Sequence, residues 1–190
     1  LTEPVLYLVR HGRTQANAEH RLQGRVDNPI DDVGRRQAAA LPDAVGPVDR
    51  LICSPLLRAR QTAEVFGREP EVDERWQEID YGVMDGARLA DVPRELMLAW
   101  LTDVDHAPEG GETLRQLSAR VRAACEDLAD AAREHNVLVV THATPIRAAV
   151  TWAMGADVGS AWRCHVDQAS ITRIIFRGQQ PLLAGFNHTP

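Results

Sequence analysis

The sequence predicts an α/β fold: a three-layer α/β/α sandwich around a mostly parallel central sheet, with residues 1–190 forming one domain. Three observations lead there. Short, continuous apolar runs such as Val5–Val9 and Val137–Val140 read as strands buried on both faces. Amphipathic helical stretches alternate with those runs, the pattern of β–α–β units. Finally, 190 residues with 44% apolar and 25% charged side chains suit one soluble domain with a real core. No apolar run approaches the roughly 20 residues that span a bilayer, so no membrane partner is expected.

The elements follow in order. Val5–Val9 is a central strand, and it stops at the polar loop Arg10-His11-Gly12-Arg13-Thr14. Asp32 is placed to cap a helix over Val33–Leu41, with Pro42 ending or kinking it. Arg50–Cys53 is a second strand. Ser54-Pro55 has the form of an N-cap followed by a first-turn proline, opening a helix to about Gly67. Residues 71–86 are turn-rich, with Val72 in a short strand, and Asp91–Leu101 holds a short helix starting around Pro93. From Glu112 to His135 apolar residues recur every three or four positions, Leu114, Leu117, Val121, Cys125, Leu128 and Ala132, which predicts a long amphipathic helix. Val137–Val140 is another buried strand, Thr144-Pro145 starts a helix to about Met154, and Ser170–Phe176 and Leu182–Phe186 close the chain as strands.

Composition removes several function classes. With 21 basic and 27 acidic residues the net charge is −6, and there is no basic stripe, so nucleic acid is not an expected partner. All 21 basic residues are arginine. Without lysine there is no P-loop, no Schiff-base chemistry and no kinase-type ATP site. Cys53, Cys125 and Cys164 form no CxxC pair, which argues against a zinc ribbon or redox dithiol and suits a reducing cytoplasm. No signal-peptide pattern is evident.

Ligands of open α/β sheets bind beyond the C-terminal ends of the strands. Here those ends carry Arg10-His11, the segment Ser54–Arg58, and Thr141-His142. If the three strands are parallel neighbours, two imidazoles and two guanidinium groups share one crevice. Guanidinium forks match phosphate oxygens and stay charged, and a neutral imidazole is a competent nucleophile toward phosphorus. Phosphoryl transfer needs in-line attack and stabilisation of charge on the equatorial oxygens, and this set supplies both without a metal or cofactor. Glu78 is the candidate acid for the leaving oxygen.

The motifs that carry these residues resemble the histidine phosphatase (phosphoglycerate-mutase-like) superfamily. Leu8-Val9-Arg10-His11-Gly12-Arg13-Thr14 with Asn17 resembles its RHGxT motif, and Ser54-Pro55-Leu56-Leu57-Arg58-Ala59-Arg60-Gln61-Thr62-Ala63 its SPLxRAxQTA motif. Gln23-Gly24, Asp32-Val33-Gly34, Glu78-Ile79-Asp80-Tyr81-Gly82, Gly110-Gly111-Glu112-Thr113 and Val139-Val140-Thr141-His142 resemble further segments of it, in order along nearly the whole chain. The resemblance implies that His11 is the nucleophile and becomes phosphohistidine. It implies that Arg10, Arg58 and His142 bind the phosphoryl oxygens and that Glu78 protonates the leaving group, then helps activate water. It further implies that the Gly12 carbonyl orients the His11 ring, and that Thr14, Asn17, Gln23 and Gly24 line the substrate entrance, with Ala143 beside them. A homodimer is an expectation carried by the resemblance alone.

Departures from the pattern shape the functional expectation. Ala143 stands where glycine is usual, and would be strained if its φ were positive. Arg13 replaces a glutamate of the mutases and adds positive charge near the site mouth, and Asp80 replaces a substrate-reading Arg or His. The span from Gly86 to Gly110 lacks the longer basic insertion of the mutases. These differences favour a metal-independent phosphomonoester hydrolase acting on a small phosphorylated metabolite, over a phosphoglycerate-mutase-type phosphotransferase. A catalytically silent phospho-ligand binder is a third reading. A tyrosine-phosphatase loop from Cys53 to Arg58 is one residue short, and Asp103-Val104-Asp105 follows a helix-like stretch where an aspartate-nucleophile phosphatase has a strand. Because Glu78 must be protonated for the first step, an acidic pH optimum is expected.

Overall fold

The computed structural model describes residues 3–190. Six strands form one sheet: β1 (Leu6–Arg10), β2 (Arg50–Cys53), β3 (Glu71–Val72), β4 (Val137–Thr141), β5 (Ile171–Arg177) and β6 (Gln180–His188), in the order β3-β2-β4-β1-β5-β6. The neighbours β3/β2, β2/β4 and β4/β1 are parallel, whereas β1/β5 and β5/β6 are antiparallel. The three strands expected to share a crevice are therefore adjacent. In register, Arg10 lies beside Thr141, and Cys53 beside Val140.

Helices cover both faces. On one side pack α2 (Asp32–Ala39), α3 (Leu41–Val45) and α4 (Leu57–Ala63), over Tyr7, Val9, Leu51, Cys53, Leu138 and Val140. On the other lie α6 (Leu114–Glu134) and α7 (Ala143–Met154), over Leu6, Leu8, Ile52, Val137 and Val139. The alternation along each strand distributes its residues between two cores. The remaining helices, α1 (Gln15–Ala18) and α5 (Arg94–Thr102), sit in the connections at the C-terminal edge of the sheet and in the 86–110 span. Among the described residues no helix is long and apolar enough to cross a membrane.

Three local expectations are corrected. The cap of α2 is Asp31, not Asp32: its carboxylate accepts the Gly34 N–H at 2.8 Å. The chain breaks at Ala40, and Pro42 lies in the first turn of α3, where its missing N–H costs nothing. Ser54 does not cap a helix. α4 begins at Leu57 with Leu56 at its N-cap, and the Ser54 hydroxyl serves His142 instead. The long helix α6 forms as its periodicity predicts, held at its start by a reciprocal Thr113–Gln116 capping box.

Candidate active site

β1 delivers Arg10 and then His11 at the C-terminal edge of the sheet. The His11 N–H still continues the ladder to the Thr141 carbonyl, at 2.9 Å, so the nucleophile candidate is anchored to β4. Its ring is buried, and Nδ1 lies 2.8 Å from the Gly12 carbonyl oxygen. A carbonyl only accepts, so Nδ1 carries the proton and Nε2 keeps its lone pair. Burial, reinforced by repulsion from Arg58 and Arg10, holds the His11 pKa well below the usual histidine value. The ring is neutral at neutral pH.

The loop that follows is fixed by a close backbone crossing. A Cβ on Gly12 would meet the Gly34 carbonyl oxygen at 2.5 Å, and one on Gly34 would meet the Arg13 carbonyl oxygen at 2.1 Å. Only glycine fits at either position, which explains both sequence motifs at once. Thr62 completes the anchoring: its hydroxyl donates to the Arg58 carbonyl at 2.7 Å and accepts the Gly12 N–H at 3.0 Å.

Arg58 is fully buried on α4. It donates to the carbonyls of Val26 and Gly24 at 2.7 and 2.8 Å, and its Nε donates to His142 Nδ1 at 3.2 Å. Arg10 donates to the Val166 carbonyl at 2.6 Å, and its buried Nε has no partner. Burial lowers both guanidinium pKa values to about 10, still high enough to keep them charged at neutral pH. The His11 and His142 rings lie 5.1 Å apart, centroid to centroid. Because His142 Nδ1 accepts from Arg58, the neutral ring carries its proton on Nε2 and donates it to Ser54 Oγ at 2.8 Å. Its pKa too is held well below the usual range, first by burial and then by Arg58.

Glu78 reaches the cluster from the loop between β3 and α5. Its carboxylate accepts the Ile79 N–H at 2.8 Å and, more distantly, the Thr144 N–H at 3.3 Å, at the start of α7. The loop itself is pinned by Arg120 of α6, whose guanidinium donates to the carbonyls of Arg75, Gln77 and Glu78 and pairs with both carboxylate oxygens of Glu112. Thr141 adds a 2.6 Å bond to the Trp76 carbonyl.

A cavity of about 110 Å³ opens between these groups, and Arg10, His11, Asn17, Gln23, Gly24, Arg58, Glu78 and Ala143 all line it. Ala143 opens α7 without strain: positive φ values outside glycine occur, among the described residues, at His20, Ala169 and Asn187. Two expected site residues stand behind the wall. Thr14 is fully buried and caps α1, its hydroxyl donating to Gln23 Oε1 at 2.8 Å, so it braces the lining and does not form it. His142 has both ring nitrogens occupied by Arg58 and Ser54. Arg13 adds no free charge at the mouth, because it pairs with Asp31 at 2.8 Å. Arg21, Leu22 and Tyr81 also line the cavity, from the segments 20–28 and 80–108 in which specificity is expected from the sequence; Thr144 and Arg147, which line it too, were not singled out by sequence reasoning. The fourfold spacing from Ala143 to Arg147 on one helix face was the available signal for the last.

Known proteins share this architecture. A mycobacterial glucosyl-3-phosphoglycerate phosphatase, Rv2419c, solved with VO3, superposes with a TM-score of 0.89 at 26% identity, over 98% of this chain and 100% of that one. The "Bifunctional protein Rv2228c" of Mycobacterium tuberculosis is 33% identical over 88% of this chain, which spans about half (49%) of that relative's length. The "Probable phosphoglycerate mutase GpmB" of Salmonella newport (strain SL254) is 30% identical over 95% of this chain and 89% of its own. The model of the histidine phosphatase superfamily (branch 1) matches residues 6–189, nearly the whole length over which the two imidazoles, the two arginines and Glu78 are distributed, and the chain belongs to that superfamily.

Proposed function

We propose that this protein is a metal-independent phosphomonoester hydrolase that works through a phosphohistidine on His11. One observation carries the reading: a neutral imidazole with its Nε2 lone pair free, in a cavity walled by two charged guanidinium groups and a carboxyl group. In the first step Nε2 attacks phosphorus in line as the ester P–O bond breaks, and Glu78 gives its proton to the departing oxygen. In the second, water attacks the phosphorus of the phosphohistidine. The Glu78 carboxylate takes the water's proton, the N–P bond breaks, and inorganic phosphate leaves.

Arg10 and Arg58 stabilise the charge that spreads over the equatorial oxygens. His142 acts first as the partner that orients Arg58. When a phosphoryl oxygen takes over the Arg58 Nε–H, His142 Nδ1 is released, and Ser54, whose hydroxyl can donate as well as accept, allows the other tautomer and a bond to phosphate. The substrate is a small phosphorylated metabolite. All three cysteines are free, which suits a reducing, cytoplasmic setting.

Turnover of p-nitrophenyl phosphate in excess EDTA tests this. The wild type should be active, and His11→Ala should lose about a thousandfold or more, as sites that act as a unit do when the nucleophile goes. Equal rates would refute the assignment. The likeness to GpmB favours a second reading, in which a phosphoglycerate replaces water as acceptor. Formation of 2-phosphoglycerate from 3-phosphoglycerate with a bisphosphorylated primer distinguishes it.

A further inference from the structure

Arg147 is the charged group along the cavity that the proposed hydrolysis leaves without a task. It lies on α7, one turn after Ala143, and lines the cavity with Tyr81 and Thr144 on the wall that also holds Glu78. Among the described residues it makes no ion pair and no hydrogen bond, and its Nε is buried without a partner. Such a donor is costly to leave unmade. Its guanidinium carbon lies over the Trp162 ring, 5.7 Å from the centroid, a cation–π contact that holds the side chain without using its donors. Its charge is near enough to Arg10 to oppose it. Another cation lining the cavity, Arg21, is already committed to Glu19 and to the Gly86 carbonyl.

We propose that Arg147 is a specificity residue that binds a carboxylate on the leaving-group portion of the substrate, so that the preferred substrates are phosphate esters of small hydroxy acids. This rests on the phosphomonoesterase reading of the same cavity. The phosphoryl group occupies Arg10, Arg58 and His11, and the leaving oxygen must face Glu78, which directs the rest of the molecule along the wall toward Arg147. One free, planar guanidinium fork matches one planar monoanion in charge and geometry. A second phosphate, with its higher charge, would find a single uncommitted cation there.

The test compares substrate pairs that differ in the carboxylate alone: 3-phosphoglycerate with glycerol 1-phosphate, and O-phosphoserine with O-phosphoethanolamine. The ratio of kcat/KM within each pair is measured for the wild type, Arg147→Gln and Arg147→Lys. Each ratio comes from one preparation, so any loss of folded protein cancels. The wild type should favour the carboxylate members by roughly 10- to 100-fold, the scale of a hydrogen bond to a charged group. The ratio should fall to about one in Arg147→Gln and be partly kept in Arg147→Lys, which has the charge without the fork. A wild-type ratio near one, or a preference that survives in Arg147→Gln, overturns the proposal. Calorimetric affinities of 3-phosphoglycerate and glycerol 1-phosphate for His11→Ala, with and without Arg147→Gln, give the same ratio with no turnover. The carboxylate preference is thus decided even if hydrolysis through His11 is refuted.

Discussion

Replacing Arg120 by methionine separates the positioning of Glu78 from the rest of the chemistry. Arg120 touches no part of the cavity. Its guanidinium donates to three consecutive-loop carbonyls, of Arg75, Gln77 and Glu78, at 2.6, 2.9 and 3.3 Å, and to both oxygens of Glu112 at 2.7 Å. Both side chains of the pair are mostly buried, with 18% and 13% exposure. Removing one member of a fully buried pair costs about 3–5 kcal/mol, and the residual exposure here reduces that to about 2–3 kcal/mol. For a chain of this size that lowers Tm by about 4–12 °C. Arg120→Met/Glu112→Met should be less destabilised than Arg120→Met, since the single change leaves the mostly buried Glu112 carboxylate with only its longer, 3.7 Å pairing to Arg25. The kinetic signature is specific to the acid. A general acid contributes about 10²–10⁴-fold, and the need for it is greatest when the leaving oxygen is strongly basic. Arg120→Met should therefore lose at least about tenfold in kcat on an alkyl phosphate and much less on p-nitrophenyl phosphate, whose leaving group departs without help. Glu78→Gln should show the same asymmetry. Equal losses on the two substrates would refute a positioning role and leave Arg120 a stability residue only.

Two further outcomes follow from the buried polar groups. His11 and His142 are both held neutral, with pKa values well below 6.5, so the unfolded chain binds protons below pH 6.5 that the folded chain refuses. Their contribution to stability is complete above that pH and is lost as the pH falls, by up to about 1.4 kcal/mol per pH unit for each ring; urea melts between pH 7 and 5 should show this slope, and His11→Asn should remove about half of the two-histidine share. Thr62→Val keeps the volume but deprives the buried Gly12 N–H of its acceptor, which should cost about 1–3 kcal/mol in denaturant melts and lower activity by loosening the loop behind His11. An unchanged midpoint would show that the N–H finds another partner.

The fold was readable where burial is set by local pattern. β1, β2 and β4 announce themselves as unbroken apolar runs because both faces are covered by helices, and α6 does so because one face alone meets the core. What stayed hidden depends on distant partners. Ser54-Pro55 has the local form of a helix start, yet the Ser54 hydroxyl is taken by a ring 88 residues away. Thr14 sits inside a phosphatase-like motif, but its hydroxyl is spent on Gln23 and Asn17. Arg120 and Arg147 look like any arginine on a helix. Which of the polar-face arginines of α6 reaches a loop more than forty residues earlier is fixed by packing, and periodicity does not report it.

The arrangement of the site follows from strand parity. Tyr7 and Val9 of β1, and Leu138 and Val140 of β4, face the layer of α2, α3 and α4; Leu6, Leu8, Val137 and Val139 face α6 and α7. Carried one step past the strand ends, the same alternation directs His11 and His142 toward α4, which supplies Arg58. Arg10 and Thr141, one residue earlier in each strand, share the opposite parity and belong with the layer that brings Glu78, Arg120 and Arg147. Adjacent strands lie about 4.8 Å apart, and with Arg10 level with Thr141 the two rings meet at 5.1 Å. In the hydrolysis proposed above, this parity sets His11 and Glu78 on opposite sides of the phosphoryl group, the arrangement that in-line displacement requires. A one-residue slip of β1 against β4 would turn Leu6 and Leu8 out of their core and carry His11 to the face of its own acid. The register is consequently enforced by apolar burial along both strands, and the chemistry at their ends inherits it.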